Sequence, residues 1–271
     1  MELFPNGGLD TMMDRLSVAM ERISPGWSET LKPASPEEIE AYRLAAHAPR
    51  LPLAYRLFLE RAGNGDGGLL EKAWDGYSQV DLPALMEKGD PLEAFQEFSD
   101  EPDPRRFLLF STHWTESDLY LDLDSGGEDP PVFLFARDLH SGSFQNYLFQ
   151  MAFQQLVWDG FLCRIADGSS KLDADWFLRR HLPGYARDPL GGTPRERMET
   201  ARPFLDPYPL EPLWFSDDTH HCLMGKDLAV HLDTTWALNF TVAGRDKAQV
   251  EEIANFLLRT MRAPENETRR F

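Results

Sequence analysis

The strongest hydrophobic periodicity in the chain lies near its start, where Leu9, Met12, Met13, Leu16, Ala19, Met20 and Ile23 recur at helical spacing. That spacing predicts an amphipathic core helix, and Ser24-Pro25-Gly26 ends it. A second helix is announced by Ser35-Pro36-Glu37-Glu38, which supplies an N-cap hydroxyl, a proline at the first helical position and a carboxylate three residues past the cap; it should run to about His47. Pro52 opens another in LPLAYRLFLERAG, with Leu53, Leu57, Phe58 and Ala62 apolar, and Gly63-Asn64-Gly65-Asp66-Gly67-Gly68 closes it.

The period then changes. FLLFS (107–111), DLYLDLD (118–124) and VFLFA (132–136) read as three short strands with turns in THWTES and SGGEDPP. Alternation in the second strand assigns Leu119, Leu121 and Leu123 to one face and Asp118, Tyr120, Asp122 and Asp124 to the other, so the acids are expected to present as a solvated row. SFQNYLFQMAFQQLVWDGFL (143–162) reads as a long, largely buried helix.

Beyond Leu162 the pattern loosens. Asp173 is placed to cap a short helix in DADWFLRRH, and seven prolines (183, 189, 194, 203, 207, 209 and 212) within about thirty residues suggest an irregular connector and a boundary. LWFS, HHCLMG, LAVHL and TWALNFTV are strand candidates, and Asp246 and Gln249 bracket a final helix with Val250, Ile253, Ala254, Phe256, Leu257 and Met261 on its apolar stripe.

Composition changes this picture mainly through charge. The 271 residues carry 45 Asp and Glu against 27 Lys and Arg, a net charge of −18. Between Asp81 and Asp129 stand 14 acidic residues and three basic ones, so more than half of the net charge comes from under a fifth of the chain. A chain this acidic repels nucleic acid and anionic membranes and favours encounter with a basic partner. Two cysteines, Cys163 and Cys222, exclude a disulfide scaffold. The acidic N-terminus lacks the pattern of a secretory signal, and charges interrupt every apolar run before membrane-spanning length, so a cytoplasmic protein is expected.

Candidate chemistry is sparse. Asp122, Asp124, Gly126, Gly127, Glu128 and Asp129 resemble the start of a calcium loop, but the twelfth position is Phe133 where a bidentate Glu belongs. Ser216-Asp217-Asp218-Thr219-His220-His221-Cys222 is the densest run of metal-capable side chains, yet adjacent histidines on a strand point to opposite faces. No nucleophile elbow, phosphate-binding loop or dinucleotide fingerprint is present. A hydrolase would have to use His113, His140 or His220 near carboxylates.

Trp27, SPEEIEAYRL (35–44), LPLAYRLFLERAGNG (51–65), DLYLDLDSGGEDPPVFLFARD (118–138) and SFQNYL (143–148), taken in that order, resemble the Smi/Knr family of the SUKH superfamily over roughly residues 27–162. The resemblance implies an α+β fold with helices packed on a mostly antiparallel sheet. Together with the proline run, it divides the chain into a SUKH-like domain with its N-terminal helix over 1–168, a proline-rich connector over 169–212, and C-terminal strands and a helix over 213–271 that either pack on the first domain or fold separately. It also implies structural roles for Leu51, Leu57, Phe58, Gly63 and Gly65. Bacterial members of the family are commonly immunity proteins that bind and neutralise a cognate toxin, and eukaryotic relatives include regulators of cell-wall synthesis. The expected function is therefore non-catalytic, cofactor-free binding of a basic toxin, with a regulatory scaffold as the alternative and a hydrolase behind it. Combined with the charge run, this reading nominates Asp100, Glu101, Asp103, Glu116, Asp118, Asp122, Asp124, Glu128 and Asp129 as partner contacts, with Trp114 and Tyr120 as aromatic anchors.

Overall fold

A computed structural model describes residues 2–70, 78–87, 106–113, 118–134, 136, 138–158, 177–181, 193–235 and 239–260. The chain divides into two compact units, residues 1–152 and 153–271. Each is a five-stranded antiparallel sheet packed with helices, so the class is α+β.

In the first unit the predicted helices form as α1 (Met12–Ile23, entered through a 3₁₀ turn at Leu9–Thr11), α3 (Pro36–Ala45) and α4 (Leu53–Ala62), with a further single turn α2 (Trp27–Thr30) that the sequence reading did not include. Gly26 separates α1 from α2 at φ +84°, a left-handed conformation that favours glycine. Ser35 and Glu38 close a reciprocal capping box at the start of α3. On α4 the buried positions are Ala54, Tyr55, Phe58, Leu59 and Ala62, while Leu51, Leu53 and Leu57 are only half-buried. Tyr55 takes the place assigned to Leu57 because its ring meets the central aromatic cluster.

The sheet runs in simple order: β1 (Ser78–Gln79), β2 (Phe107–His113), β3 (Leu119–Asp122), β4 (Val132–Leu134) and β5 (Asp138–Ser141). A short helix α5 (Leu82–Glu87) and the long α6 (Phe144–Trp158) complete the regular elements described for this part of the chain. The core is aromatic. Phe144 at the start of α6 lies 5.5 Å from Tyr55, 5.5 Å from Phe58 and 5.3 Å from Phe110, mostly edge to face. Trp27, on α2, is buried and its indole N–H donates to the Asp66 carbonyl at 3.1 Å. Gly67 lies directly beneath that ring at φ +66°, where an added Cβ would fall 2.6 Å from Trp27 Nε1 and 2.5 Å from Thr30 Oγ1. Replacing Gly67 with alanine should cost about 2–4 kcal/mol, the sum of left-handed backbone strain and overpacking, read as a lower urea midpoint at unchanged slope.

The second unit revises the C-terminal reading. Its sheet has the order β6 (Phe177–His181), β10 (Asn239–Gly244), β9 (Leu228–Asp233), β8 (His220–Met224), β7 (Glu211–Pro212). The division between units falls after Ala152, inside α6. The stretch expected as a connector carries β6, β7 and a helix α7 (Pro194–Ala201). FLRRH, expected as helix, is a strand because it pairs with all of Asn239–Ala243, and that ladder overrides its local preference. LWFS, expected as a strand, is a turn fastened by Ser216 N to the Leu213 carbonyl. One sheet face buries Leu223, Leu228, Val230, Leu232, Phe240 and Val242 against Met198 and Ala201 of α7 and against Val250, Ile253 and Ala254 of α8 (Lys247–Thr260). Asp246 caps α8 by accepting from the backbone N–H of Ala248 at 2.8 Å.

Candidate functional site

Of the nominated contacts, Asp100, Glu101, Asp103, Trp114 and Glu116 lie outside the described residues. The others do not form the expected solvated row. β3 lies between β2 and β4 and is buried on both faces, so Asp118, Tyr120 and Asp122 point into the protein with 5%, 4% and 1% exposure. The alternation itself holds, but the polar face is covered instead of wet.

Asp122 is tolerated there because its carboxylate is fully engaged. Arg106 donates to both oxygens, Nε to Oδ1 at 2.8 Å and an NH2 to Oδ2 at 2.6 Å. Ser125 Oγ donates to Oδ2 at 2.6 Å and the Asp124 backbone N–H to Oδ1 at 3.0 Å. Burial by itself would push the carboxyl up, and these donors outweigh it, holding Asp122 below the usual carboxylate range. Burial also pushes the Tyr120 hydroxyl upward, reinforced by the charge of Asp118.

Glu128 and Asp129 each anchor a helix. Pro52 has no side chain able to cap α4, and Glu128 supplies the missing acceptor from across the fold: Oε2 takes the Leu53 N–H at 2.8 Å, and its carbonyl takes that of Ala54 at 2.9 Å. Arg50 pairs with the same carboxylate. Asp129 accepts from the Gln145 N–H at 2.8 Å in the first turn of α6, beside Ser143, whose hydroxyl accepts from Asn146 N at 3.1 Å. Burial raises the Asp129 carboxyl in spite of these bonds. The two consecutive acids therefore tie the β3–β4 turn to the starts of α4 and α6. Among the nominated acids within the described residues, Asp124 and Glu128 are exposed. The turn accordingly has no calcium-loop arrangement: Asp122, Glu128 and Asp129 direct their carboxylates at protein donors in three places.

His220 and His221 take opposite faces of the second sheet, as strand parity predicts, and His220 meets a histidine of the neighbouring strand instead. His220 opposes Asp233 and His231 opposes Cys222, so all four share one sheet face. His220 Nδ1 lies 3.0 Å from His231 Nε2, with the rings 8° from parallel. His231 escapes a sequence reading because it stands alone in LAVHL, and only the register brings it to His220. Burial keeps the Cys222 thiol protonated, pushing it well above its ordinary value. Among the described residues, no group of three His, Cys, Asp or Glu is placed to hold a metal ion.

His221 occupies the opposite face, level with Leu232. Burial, with the Arg202 charge adding to it and Asp217 opposing, lowers its imidazole to about 4. The folded state therefore resists a proton that the unfolded chain accepts near its ordinary value of about 6.5, so the stability is present above about pH 6.5 and is lost as pH falls through about 4. His221→Leu should remove about 2–3 kcal/mol of pH dependence across that window, measured by urea unfolding at stepped pH. An unchanged pH profile would mean that His221 is protonated in the fold.

No family model, curated protein or solved structure matches the chain. Among the described residues, no helix is long and apolar enough to cross a membrane.

Proposed function

We propose that this protein is a cytoplasmic, SUKH-like immunity protein that neutralises a cognate toxin by stoichiometric binding through its first unit, without catalysis. The observation that carries the reading is the segregation of charge between the units. Residues 1–152 hold 27 Asp and Glu against 12 Lys and Arg, a net charge of −15, whereas residues 153–271 hold 18 against 15. A toxin that acts on nucleic acid needs a Lys- and Arg-rich surface for its substrate, and the first unit has the complementary sign. The meeting of Tyr55 and Phe58 with Phe144 in one core supports the family part of the reading, since LPLAYRLFL and SFQNYL are separate motifs of the resemblance.

The docking surface in this proposal excludes Asp118, Tyr120 and Asp122, which are buried, and retains Asp124 with Asp100, Glu101, Asp103, Glu116 and Trp114. Co-expression with the product of the adjacent gene should give a one-to-one complex and rescue growth; absence of both would overturn the proposal. With that partner in hand, raising the salt from about 0.05 to 0.5 M should slow association at least tenfold, as expected of charge-steered encounter. A salt-independent on-rate would remove the acidic surface from the mechanism.

A further inference from the structure

We propose that the outer face of α3, centred on Leu44, is the apolar seat of the toxin-binding surface, and that it receives a part of the toxin presenting an apolar side chain flanked by Lys or Arg. This rests on the toxin-binding reading and supplies the anchor that a surface of acids alone lacks. Leu44 is 57% exposed, more than any other large apolar side chain among the described residues, and Leu139 follows at 36%. Ala41 and Ala45 are exposed with it. The three stand at i, i+3 and i+4, so they form one short strip on the helix surface. An amphipathic helix ordinarily places polar side chains at its outward positions, and α3 already buries Ile39 and Tyr42 on its inward side.

Charge around the strip decides what fits there. Glu40, one turn before Leu44, holds the Arg43 guanidinium at 2.6 Å within the helix itself. Past the end of α3, Arg50 pairs with Glu128, which belongs to the turn that exposes Asp124. Both cations are thereby matched, and Glu37 and Asp124, exposed and in no ion pair among the described residues, leave this part of the surface negative. A second copy of the chain brings the same sign of charge to such a contact. An apolar group set among Lys and Arg satisfies both the strip and its acidic surroundings, in the usual pattern of an apolar centre with a polar rim.

The strip is also presented rigidly, which lowers the entropy lost on binding. The Ser35–Glu38 capping box fixes one end of α3, and the Tyr42 hydroxyl fastens its middle to the sheet by donating to the Leu109 carbonyl of β2. At the other end His47 turns the chain at φ +53°, its N–H on the Leu44 carbonyl at 3.1 Å, while Arg43 donates to the Ala48 carbonyl at 2.7 Å.

Binding titrations of the full-length protein with the product of the adjacent gene test this. Leu44→Arg should weaken binding about tenfold or more at an unchanged urea midpoint, because the side chain it replaces is not part of the core. Leu139→Arg makes the same change of charge at the other exposed leucine and should bind as the wild type does. Wild-type affinity in Leu44→Arg would overturn this inference and leave the toxin-binding reading standing; absence of a complex with the wild type would overturn both. Equal weakening in the two variants would mean that charge alone is read, and the apolar seat would fall. It would fall equally if the wild type alone formed dimers that Leu44→Arg dissociates, since the strip would then belong to a second copy. Should Leu44→Arg fail to fold, Leu44→Ala, which favours the helix, is read by the same criteria.

Discussion

Replacing Asp122 with alanine is expected to destabilise the first unit by about 3 kcal/mol, although sequence alone places it in a solvated row of partner-contact acids. The substitution removes the acceptor of four hydrogen bonds, from Arg106 twice, from Ser125 and from the Asp124 N–H, and leaves the guanidinium without its counter-charge. Loss of one partner of a fully buried pair costs about 3–5 kcal/mol, and the lower end applies because the Arg106 side chain keeps 31% exposure and regains water. An asparagine side chain keeps one acceptor oxygen but sets an NH2 donor against the donors that met the other, so Asp122→Asn should cost about 2 kcal/mol, still less than alanine. The pH dependence has a definite sign. Because the folded carboxyl sits below its unfolded value of about 3.9, its contribution is complete above that pH and is lost as pH falls through the folded value. Urea midpoints of the three proteins at neutral pH decide the matter: an alanine variant as stable as the wild type would mean that the pair is only a surface contact. The same experiment bears on function, since Asp122→Asn should leave the association rate with a cationic partner unchanged while Asp124→Asn slows it.

Asp122 also shows where sequence reasoning reaches its limit. Period-two alternation correctly separates Leu119 and Leu121 from Tyr120 and Asp122, but a pattern along one strand cannot tell whether its polar face meets water or another layer. The helices of the first unit are legible because their signals are local: Ser35 and Glu38 cap within one turn, and Gly26 breaks a helix at its own position. The roles of Glu128 and Asp129 are not, because each caps a helix whose start is distant in sequence, 75 residues away for Leu53 and 16 for Gln145. Thr193-Pro194-Arg195-Glu196 is a local signal that its setting conceals. It repeats the capping box of Ser35-Pro36-Glu37-Glu38 and starts α7, but the surrounding prolines draw the whole stretch into an apparent connector. The strand FLRRH has no such signal, since its identity comes from pairing with β10, some sixty residues later. The histidine pair combines the two situations: HHC is visible at once, and its partner His231 becomes visible only with the β8–β9 register.

Truncating Phe144 to alanine should cost about 3–5 kcal/mol, at least as much as losing the buried carboxylate of Asp122. Its ring is fully buried at the meeting point of three elements, touching Tyr55 and Phe58 of α4, Phe110 of β2 and Tyr147 one turn along α6. Alanine forfeits the burial of the ring and leaves a cavity that four aromatic side chains from packed elements cannot readily collapse into. Edge-to-face contacts of this kind add about 0.5–1.5 kcal/mol each to area burial, and because they share one ring they cannot be summed. Phe144→Leu, which refills most of the volume and loses the edge-to-face geometry, should cost roughly 1–2 kcal/mol. With a domain stability of about 5–15 kcal/mol, the alanine variant stays folded only if the rest of the core is strong, and the urea midpoint should fall at constant slope. A loss below about 1 kcal/mol would show that the cluster repacks freely. That outcome would reach beyond stability. SFQNYL and LPLAYRLFL are the late and early motifs of the SUKH-like resemblance, and Phe144 brings the one onto Tyr55 and Phe58 of the other; a core indifferent to that contact would deprive the motif order of its physical reason and weaken the proposed function with it.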